Sequence, residues 1–274
     1  MPQRTAPLFA LNHIAAPAIP VASLLALAAR LGLGAVELRN DLDGQPLVPI
    51  SAREQADRAG IRILSINALQ RFNDWTDTRR DEAERLAEAA SDAGAAALVL
   101  CPVNQDGFAP DPADRAHRLV AALHGLAPIL RRHGLKGLVE PLGFAECSLR
   151  TKREAVIGID AVDGADVFAL VHDTFHHHVS GETELFARHT GLVHISGVSD
   201  PGVTAATMRD RHRVLVEADD RIDTVGQIAA LRGSGYDGVF SFEPFAPGVH
   251  GAPDLEAELS SSMTWISEAL TPTR

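Results

Sequence analysis

Short apolar segments rich in valine, isoleucine, leucine and phenylalanine recur along the whole chain. Eight of them can be recognised, at residues 8–14, 35–39, 61–69, 97–102, 137–143, 168–174, 192–198 and 238–245. Their apolar residues run almost without interruption, whereas a strand with one face in water would alternate apolar and polar positions. The pattern therefore predicts eight strands of a parallel sheet that is covered on both faces.

Segments with helical apolar spacing separate these strands. The clearest lie at residues 21–32, 78–94, 112–134 and 224–235. Glycines commonly end helices, because they adopt the left-handed conformation without steric cost. Such glycines stand before the next strand at five places, namely Gly32, Gly60, Gly94, Gly134 and Gly235. The connections from helix to strand are therefore predicted to be short.

Repeated strand–helix units without an internal linker predict one α/β domain over residues 1–274, a single (β/α)8 TIM barrel. The rival architecture, a doubly wound sheet, would carry a glycine-rich phosphate loop after the first strand, and LNHIAAPAIP (11–20) is not one. Residues 199–222 read as a long loop, and loops of this length are usually functional or mobile. The amphipathic segment 254–270 is expected to cover the barrel or a partner, with the barrel favoured.

Composition limits the classes of molecule that this protein is expected to bind. The 274 residues include 25 Lys+Arg and 36 Asp+Glu, a net charge of −11, so nucleic acid is not an expected partner. Cys101 and Cys147 have no spacing typical of a disulfide framework or a zinc–thiolate site. The sequence has neither a signal-peptide pattern nor a long apolar span. We expect a soluble, unprocessed, cytoplasmic protein with no membrane partner.

Polar residues at the strand ends carry the candidate chemistry, because the active sites of such barrels lie at the carboxyl ends of the strands. The fifth to eighth predicted strands bring Glu140, Asp173, His194 and Glu243. Any one of them alone could be a cap or a loop contact. Three carboxylates and an imidazole in one barrel mouth would instead require a cation or shared protons. One divalent metal ion is the simplest solution, with Mn²⁺, Mg²⁺ or Co²⁺ suited to this ligand set and Zn²⁺ possible.

Further polar residues are candidates for substrate contact. His176 lies three residues beyond Asp173, where it could reach a bound hydroxyl or carbonyl, whereas His172, His177 and His178 are better explained as loop or packing residues. The first three strands carry polar residues that could bind hydroxyl groups or only satisfy loop backbone. These residues are Asn12, Glu37 and Asn67.

Several segments, in this order and at these strand ends, resemble one known family. They are LNHI (11–14), VELR (36–39), INALQRFND (66–74), VEPLGFAECSLRT (139–151), HDTFHHHVSG (172–181), VHIS (193–196), HRV (212–214) and FEPF (242–245). Together they resemble the xylose-isomerase-like barrel superfamily of sugar isomerases and epimerases, and within it most closely the 2-keto-myo-inositol isomerase (inosose isomerase) family.

The resemblance implies a function. It assigns the same four metal ligands, and similarity to related epimerases makes Glu140 and Glu243 the catalytic base and acid. It also makes His176 a substrate ligand, while Arg213 is expected either to point at a substrate oxygen or ligand carboxylate or to form a surface ion pair. The expected activity is a divalent-metal-dependent isomerisation or epimerisation of a keto-sugar or keto-cyclitol, with 2-keto-myo-inositol favoured, through a metal-stabilised enediolate.

Some features depart from the family pattern. VEADD (216–220) replaces the usual glycine-rich turn, and Pro141 and His172 also differ, which leaves the substrate open. A dehydratase of an inosose or a 3-dehydroshikimate-like acid is one alternative, and a non-catalytic sugar-binding barrel is another. The expected partner is a small polyol or keto-sugar, and a homodimer is possible.

Overall fold

Eight parallel strands form a closed barrel in a computed structural model that describes residues 6–42, 51–108 and 111–271. The strands follow one another in chain order, and β8 closes the barrel by pairing with β1. They are β1 (Leu8–Asn12), β2 (Ala35–Arg39), β3 (Arg62–Leu69), β4 (Ala97–Leu100), β5 (Lys136–Val139), β6 (Phe168–Asp173), β7 (Thr190–Ile195) and β8 (Val239–Phe242). The predicted (β/α)8 barrel is confirmed.

Helices cover the outside of the barrel. They are α1 (Val21–Arg30), α2 (Ala52–Ala59), α3 (Asp77–Asp92), α4 (Pro112–His133), α5 (Lys152–Ala161), α6 (Thr174–Ser180), α7 (Thr224–Gly233), α8 (Pro247–His250) and α9 (Leu255–Ala269). All five predicted helix-ending glycines have positive φ angles, between 68° and 97°. Among the described helices, none is long and apolar enough to cross a membrane. Residues 1–5, part of the segment in which we predict no signal peptide, lie outside the described residues.

Side chains fill the barrel interior in layers. Successive residues of a strand point to opposite faces, so residues two apart share a face. Val99, Leu138, Val171 and Leu192 form part of an apolar layer from four neighbouring strands. The residues two positions further along these strands form the layer above it, at the carboxyl ends, and they are Cys101, Glu140, Asp173 and His194. The positions along the strands therefore place the polar residues directly above a layer of apolar side chains.

The segment 199–222 contains no strand or α-helix in the structure, as predicted, but it is tied to the barrel. Gly197 and Val214 exchange two backbone hydrogen bonds of 2.8 and 2.9 Å. The Asp220 carboxylate accepts hydrogen bonds from the backbone N–H groups of Val198 and Thr224. These contacts hold the loop across the carboxyl end of β7.

The C-terminal helix α9 packs on the barrel, as the sequence favours. Leu259 and Ile266 are buried in the main hydrophobic core. The Ser262 hydroxyl accepts from the backbone N–H of Val216 and donates to the carbonyl of the same residue. The helix thereby also anchors the end of the 199–222 loop.

Candidate metal centre

The four predicted metal ligands lie together at the carboxyl ends of four adjacent strands. Glu140 directly follows β5, Asp173 ends β6, His194 lies near the end of β7 and Glu243 directly follows β8. One ligand atom of each lies within 4.8 Å of the others, and all four residues are buried. No second cluster of this kind occurs among the residues that the structure describes. The chain thus has a buried acidic and imidazole cluster that could hold a metal ion.

His194 stands at the centre of the cluster, and its two ring nitrogens face different partners. Nδ1 lies 2.9 Å from Oε1 of Glu140, 3.1 Å from Oε2 of Glu243 and 4.0 Å from Oδ2 of Asp173. Nε2 faces Glu37, whose Oε1 is 3.1 Å away. Burial lowers the pKa of His194, but the charges of Glu243, Glu37 and Glu140 outweigh it and raise the pKa well above its ordinary value.

Glu37 lies beneath the cluster, fully buried in β2. Its carboxylate accepts hydrogen bonds from Ser65 Oγ at 2.6 Å and Asn12 Nδ2 at 3.3 Å, in addition to its contact with His194. Burial raises the pKa of Glu37, but His194 lowers it further, so the net shift is downward. The structure therefore places Glu37 and the equally buried Asn12 against other protein groups, while Asn67 reaches the open cavity above.

Glu243 is the most heavily bonded carboxylate of the site. Its Oε1 accepts from Asn12 Nδ2 at 3.1 Å, Asn67 Nδ2 at 3.2 Å and Arg39 Nη1 at 3.1 Å. Its Oε2 accepts from Arg213 Nη2 at 2.8 Å. Burial raises the pKa of Glu243, but His194, Arg213 and Arg39 together bring it well below its ordinary value.

Glu140 has a weaker set of donors. Its Oε1 faces His194, and its Oε2 accepts from the thiol of Cys101, with Sγ 3.4 Å away. A thiol is a weak hydrogen-bond donor. The two glutamates of the cluster therefore differ, because two guanidinium groups hold Glu243 whereas a thiol contacts Glu140.

Arg213 is only 1% exposed, so it is not a surface residue. Its Nη2 lies 2.5 Å from Oδ2 of Asp173 and 2.8 Å from Oε2 of Glu243, which joins two of the candidate ligands. Its Nε donates to Ser196 Oγ, and Nη1 lies 3.4 Å from Oδ1 of Asp210 in the 199–222 loop. Of the alternatives for Arg213, the structure shows contacts with the carboxylates of two candidate metal ligands.

A cavity of about 380 Å³ opens above the cluster. This volume lies within the range of small-molecule sites. His176 is 4% exposed and lies edge-on to the Phe144 ring, and its Nδ1 has no hydrogen-bond partner among the described residues. Polar and apolar groups share the cavity wall, which includes Asn67, Glu140, Leu142, Phe144, His176 and Phe245.

The remaining histidines of the run point elsewhere. His172 Nε2 lies 2.9 Å from Oε1 of Gln227, and its ring lies 4.8 Å from that of His177. His177 Nδ1 lies 2.7 Å from Nζ of Lys152. Burial lowers the pKa of His172 well below its ordinary value. These contacts agree with the packing interpretation for His172 and His177.

The donor set fits one divalent ion. Three carboxylates offer hard oxygen ligands, and the Nδ1 of His194 faces the same point, which matches the ligands that Mn²⁺, Mg²⁺, Co²⁺ and Zn²⁺ accept. Without a cation, the three carboxylates would share only the charges of nearby arginines and of His194. Glu140, Asp173, His194 and Glu243 are therefore the residues that would hold such an ion.

Several residues of the site were not identified from the sequence, among them Arg39 and Cys101. Arg39 ends β2 and Cys101 follows β4, and both side chains line the cavity. The sequence does contain an indication for Arg39. It stands two residues after Glu37 and therefore lies on the same face of the strand as that candidate site residue.

These features define a class: a parallel (β/α)8 barrel with three carboxylates and one imidazole clustered at the carboxyl ends of its strands. A sequence model of the xylose isomerase-like TIM barrel family matches residues 25–269, so the chain belongs to that family. The predicted superfamily is confirmed. A comparison with curated proteins gave no match.

Solved structures of the same fold cover at least 96% of the chain. A xylose isomerase domain containing protein from Salmonella typhimurium LT2 is 32% identical, with a TM-score of 0.87, and 96% of this chain and 97% of that chain are covered. The IolI protein with a bound zinc atom is 20% identical, with a TM-score of 0.84 and coverage of 97% and 99%. D-psicose 3-epimerase from Clostridium cellulolyticum H10, solved with D-tagatose, is 17% identical, with a TM-score of 0.75 and coverage of 96% and 99%.

Proposed function

We propose that this protein is a divalent-metal-dependent isomerase or epimerase of a keto-sugar or keto-cyclitol, with 2-keto-myo-inositol as the favoured substrate. The observation that carries the proposal is the pair of glutamates, Glu140 and Glu243, that lines a small cavity and shares a cluster with His194 and Asp173. Membership of the family and the fold shared with IolI and D-psicose 3-epimerase support it.

The chemistry is the transfer of a proton on a carbon atom next to a carbonyl group. Loss of that proton leaves an enediolate, whose negative oxygen needs electrostatic stabilisation. A divalent ion bound by the four ligands would supply it as a Lewis acid. One of Glu140 and Glu243 takes the proton from the carbon. In an epimerisation the other glutamate donates a proton to the opposite face, whereas in an isomerisation a proton is delivered to the former carbonyl carbon while the hydroxyl proton passes to the former carbonyl oxygen.

The protein environment gives the two glutamates different starting states. Against the effect of burial, His194, Arg213 and Arg39 together lower the pKa of Glu243 and keep it ionised, which is the form that a base requires. On Glu140, Oε2 accepts from the Cys101 thiol, a weak donor, and this carboxyl group would have to carry a proton in order to donate it to the carbon. We therefore assign Glu243 as the first base and Glu140 as the partner that completes the transfer.

The cavity wall suits an uncharged polyol. In the described part of the chain, the three arginines that line the cavity, Arg39, Arg71 and Arg213, are each paired with a carboxylate, so none offers an unpaired charge to a phosphate group. The rings of Phe144 and Phe245 provide apolar surface for the C–H groups of a sugar ring. His176 lines the same cavity, and we assign it a contact with a substrate hydroxyl or carbonyl.

Hydrogen exchange tests the proposal directly. Protein loaded with Mn²⁺, Mg²⁺, Co²⁺ or Zn²⁺ is incubated with inososes and ketoses in D₂O, and exchange at the carbon next to the carbonyl is followed by NMR. We expect exchange with at least one of them and its loss in Glu243→Gln. Glu184→Gln, at an exposed residue outside the cavity, is the matched control. Absence of exchange with every compound and every metal would overturn the proposal, and an absorbing enone product would replace it by dehydration.

A further inference from the structure

We propose that Arg39 is a positioning residue for Glu243, and that Asp41 fixes Arg39 in the orientation that this role requires. The inference deepens the proposed function, on which its catalytic part rests. It assigns a role to a pair at the end of β2 that neither the sequence motifs nor the four-ligand cluster explains.

The geometry of Arg39 is that of a bridge. Its Nε and Nη2 lie 2.7 and 2.8 Å from the two carboxylate oxygens of Asp41, so the pair is bidentate. Its Nη1 points the other way and lies 3.1 Å from Oε1 of Glu243. The Arg39 side chain is 7% exposed, whereas that of Asp41 is 31% exposed. A half-exposed carboxylate thereby orients a buried guanidinium toward a candidate metal ligand.

A second bridge approaches Glu243 from the other side. Arg213 lies 2.8 Å from Oε2 of Glu243 and 3.4 Å from Oδ1 of Asp210. Both guanidinium groups also pack over the ring of Phe245, with their central carbons 5.5 Å (Arg39) and 4.6 Å (Arg213) from its centroid. Each oxygen of Glu243 is therefore held by a different arginine, and both arginines pack against Phe245.

This arrangement restricts the rotation of the Glu243 carboxylate. Rotation about its last bond would break a guanidinium contact on each oxygen, in addition to the amide contacts of Asn12 and Asn67 on Oε1, so the arginines help to fix the plane of the carboxylate. A fixed plane matters for a group that must face both a metal ion and a carbon-bound proton, because small errors in orientation reduce proton transfer steeply.

A substitution of Arg39 tests the positioning of Glu243 more specifically than a substitution of Arg213 does. Arg213 also contacts Asp173 at 2.5 Å, so its loss disturbs two candidate ligands at once. Within the described residues, the ion pairs of Arg39 are those with Asp41 and Glu243. Lysine cannot replace it, because a single ammonium group cannot bind Asp41 in a bidentate manner and also reach Glu243 in the fixed geometry.

The test compares Arg39→Met, Arg39→Lys, Asp41→Asn and the double variant Arg39→Met/Asp41→Asn. The control is Arg131→Met, since Arg131 makes a bidentate pair with Asp166, at 2.8 and 2.7 Å, on the protein surface. Each protein is measured for metal affinity by calorimetry with Mn²⁺, for melting temperature, and for kcat and KM of the exchange reaction at saturating Mn²⁺.

We expect Arg39→Met to weaken metal affinity about tenfold and to lower kcat between 10- and 100-fold at saturating metal, the usual range for an outer partner of a metal ligand. Arg39→Lys should not restore kcat. Asp41→Asn should act in the same direction, and the double variant should be no worse than Arg39→Met, because Asp41 acts through Arg39. Arg131→Met should leave both quantities within twofold of the wild type.

The inference is overturned if Arg39→Met, folded and saturated with Mn²⁺, retains kcat and metal affinity within twofold. Additive effects of the two substitutions would equally overturn the role of Asp41. If Arg39→Met does not fold, Asp41→Asn at the half-exposed end of the bridge decides the question by the same measurements. If the wild type shows no exchange with any substrate, the proposed function fails, and the metal affinities alone decide the positioning role.

Discussion

Glu37 and His194 face each other at the centre of the barrel, with Oε1 of Glu37 3.1 Å from Nε2 of His194. All three carboxylates of the candidate metal cluster lie on the other side of the ring, around Nδ1. A carboxylate behind a metal-ligating histidine fixes the tautomer of the ring and increases the basicity of the opposite nitrogen. Glu37 would therefore keep the proton on Nε2 and leave the Nδ1 lone pair for a metal ion.

Replacement of Glu37 tests this relationship. We expect Glu37→Gln to weaken divalent metal binding about tenfold, because the neutral amide can donate to Nε2 and thereby permit the tautomer with a protonated Nδ1. Titration calorimetry with Mn²⁺ or Zn²⁺ measures the effect. The exposed Glu184→Gln is again the control and should bind metal like the wild type. An unchanged affinity in Glu37→Gln would show that the ring does not depend on this carboxylate.

Removal of metal should lower the stability of the protein. An ion that binds only the folded chain stabilises it by about 2.7 kcal/mol when its free concentration is one hundred times Kd. For a chain of 274 residues, this corresponds to a rise of roughly 5 °C in melting temperature. Scanning calorimetry with and without a chelator measures it.

The control for the stability experiment is a protein that lacks a ligand. His194→Gln should show a smaller difference between chelator and metal than the wild type, because one of the four candidate ligands is missing. If neither the chelator nor added metal changes the melting temperature of the wild type, the assignment of this cluster as a metal site is contradicted.

Much of the fold follows from local signals. The nearly continuous apolar strands and the glycines at helix ends, such as Gly60 and Gly134, depend on interactions between residues close in sequence. They can therefore be recognised from the pattern along the chain. The clustering of Glu140, Asp173, His194 and Glu243 also follows, because parallel strands of one barrel bring their carboxyl ends together.

The burial of a side chain and the residues that it contacts cannot be predicted from such local sequence patterns. Glu37 reads as another polar strand residue, but the register between β2 and β3 shifts at Val36/Glu37 and pairs Glu37 with Ser65. Its role beneath His194 depends on that shift and on a neighbour 157 residues away along the chain. Arg39 was missed for a related reason, since its partner Glu243 lies on a strand distant in sequence.

A close backbone approach beside the cavity gives a third prediction. Gly143 follows β5, and a Cβ atom there would lie 2.2 Å from the carbonyl oxygen of His176 and 2.6 Å from the backbone nitrogen of Ser180. Backbone atoms of a helix cannot yield easily. We therefore expect Gly143→Ala to displace α6, to lower the free energy of unfolding by about 1–3 kcal/mol and to raise KM. Urea denaturation and steady-state kinetics measure the two effects.

The matched control for this substitution is Gly248→Ala. Gly248 lies in the short helix α8, and a Cβ atom there meets nothing within 4 Å. It should change neither stability nor KM appreciably. If Gly143→Ala is as stable and as active as Gly248→Ala, the loop after β5 does not depend on its close contact with α6.

The last prediction concerns Lys152, one of two lysines in the chain. Its side chain is 4% exposed, with Nζ 3.2 Å from Oε2 of Glu182. Burial lowers the pKa of Lys152 to about 8 from the ordinary value of 10.5, although Glu182 opposes the shift. Between pH 8 and pH 10.5, the unfolded chain therefore binds more protons at this residue than the folded chain does, and the free energy of unfolding rises with pH.

The pKa shift of Lys152 corresponds to a rise of about 3 kcal/mol in the free energy of unfolding between pH 8 and pH 10.5. This rise is absent below pH 8, where Lys152 is charged in both the folded and the unfolded state. Urea denaturation of wild type and Lys152→Met from pH 7 to pH 10 measures it as a difference, in which other titrating groups cancel. The difference should increasingly favour the wild type as the pH rises. Lys136→Met, at the exposed second lysine, is the control. A difference for Lys152→Met that stays constant over this range would mean that the lysine keeps its proton in the folded protein.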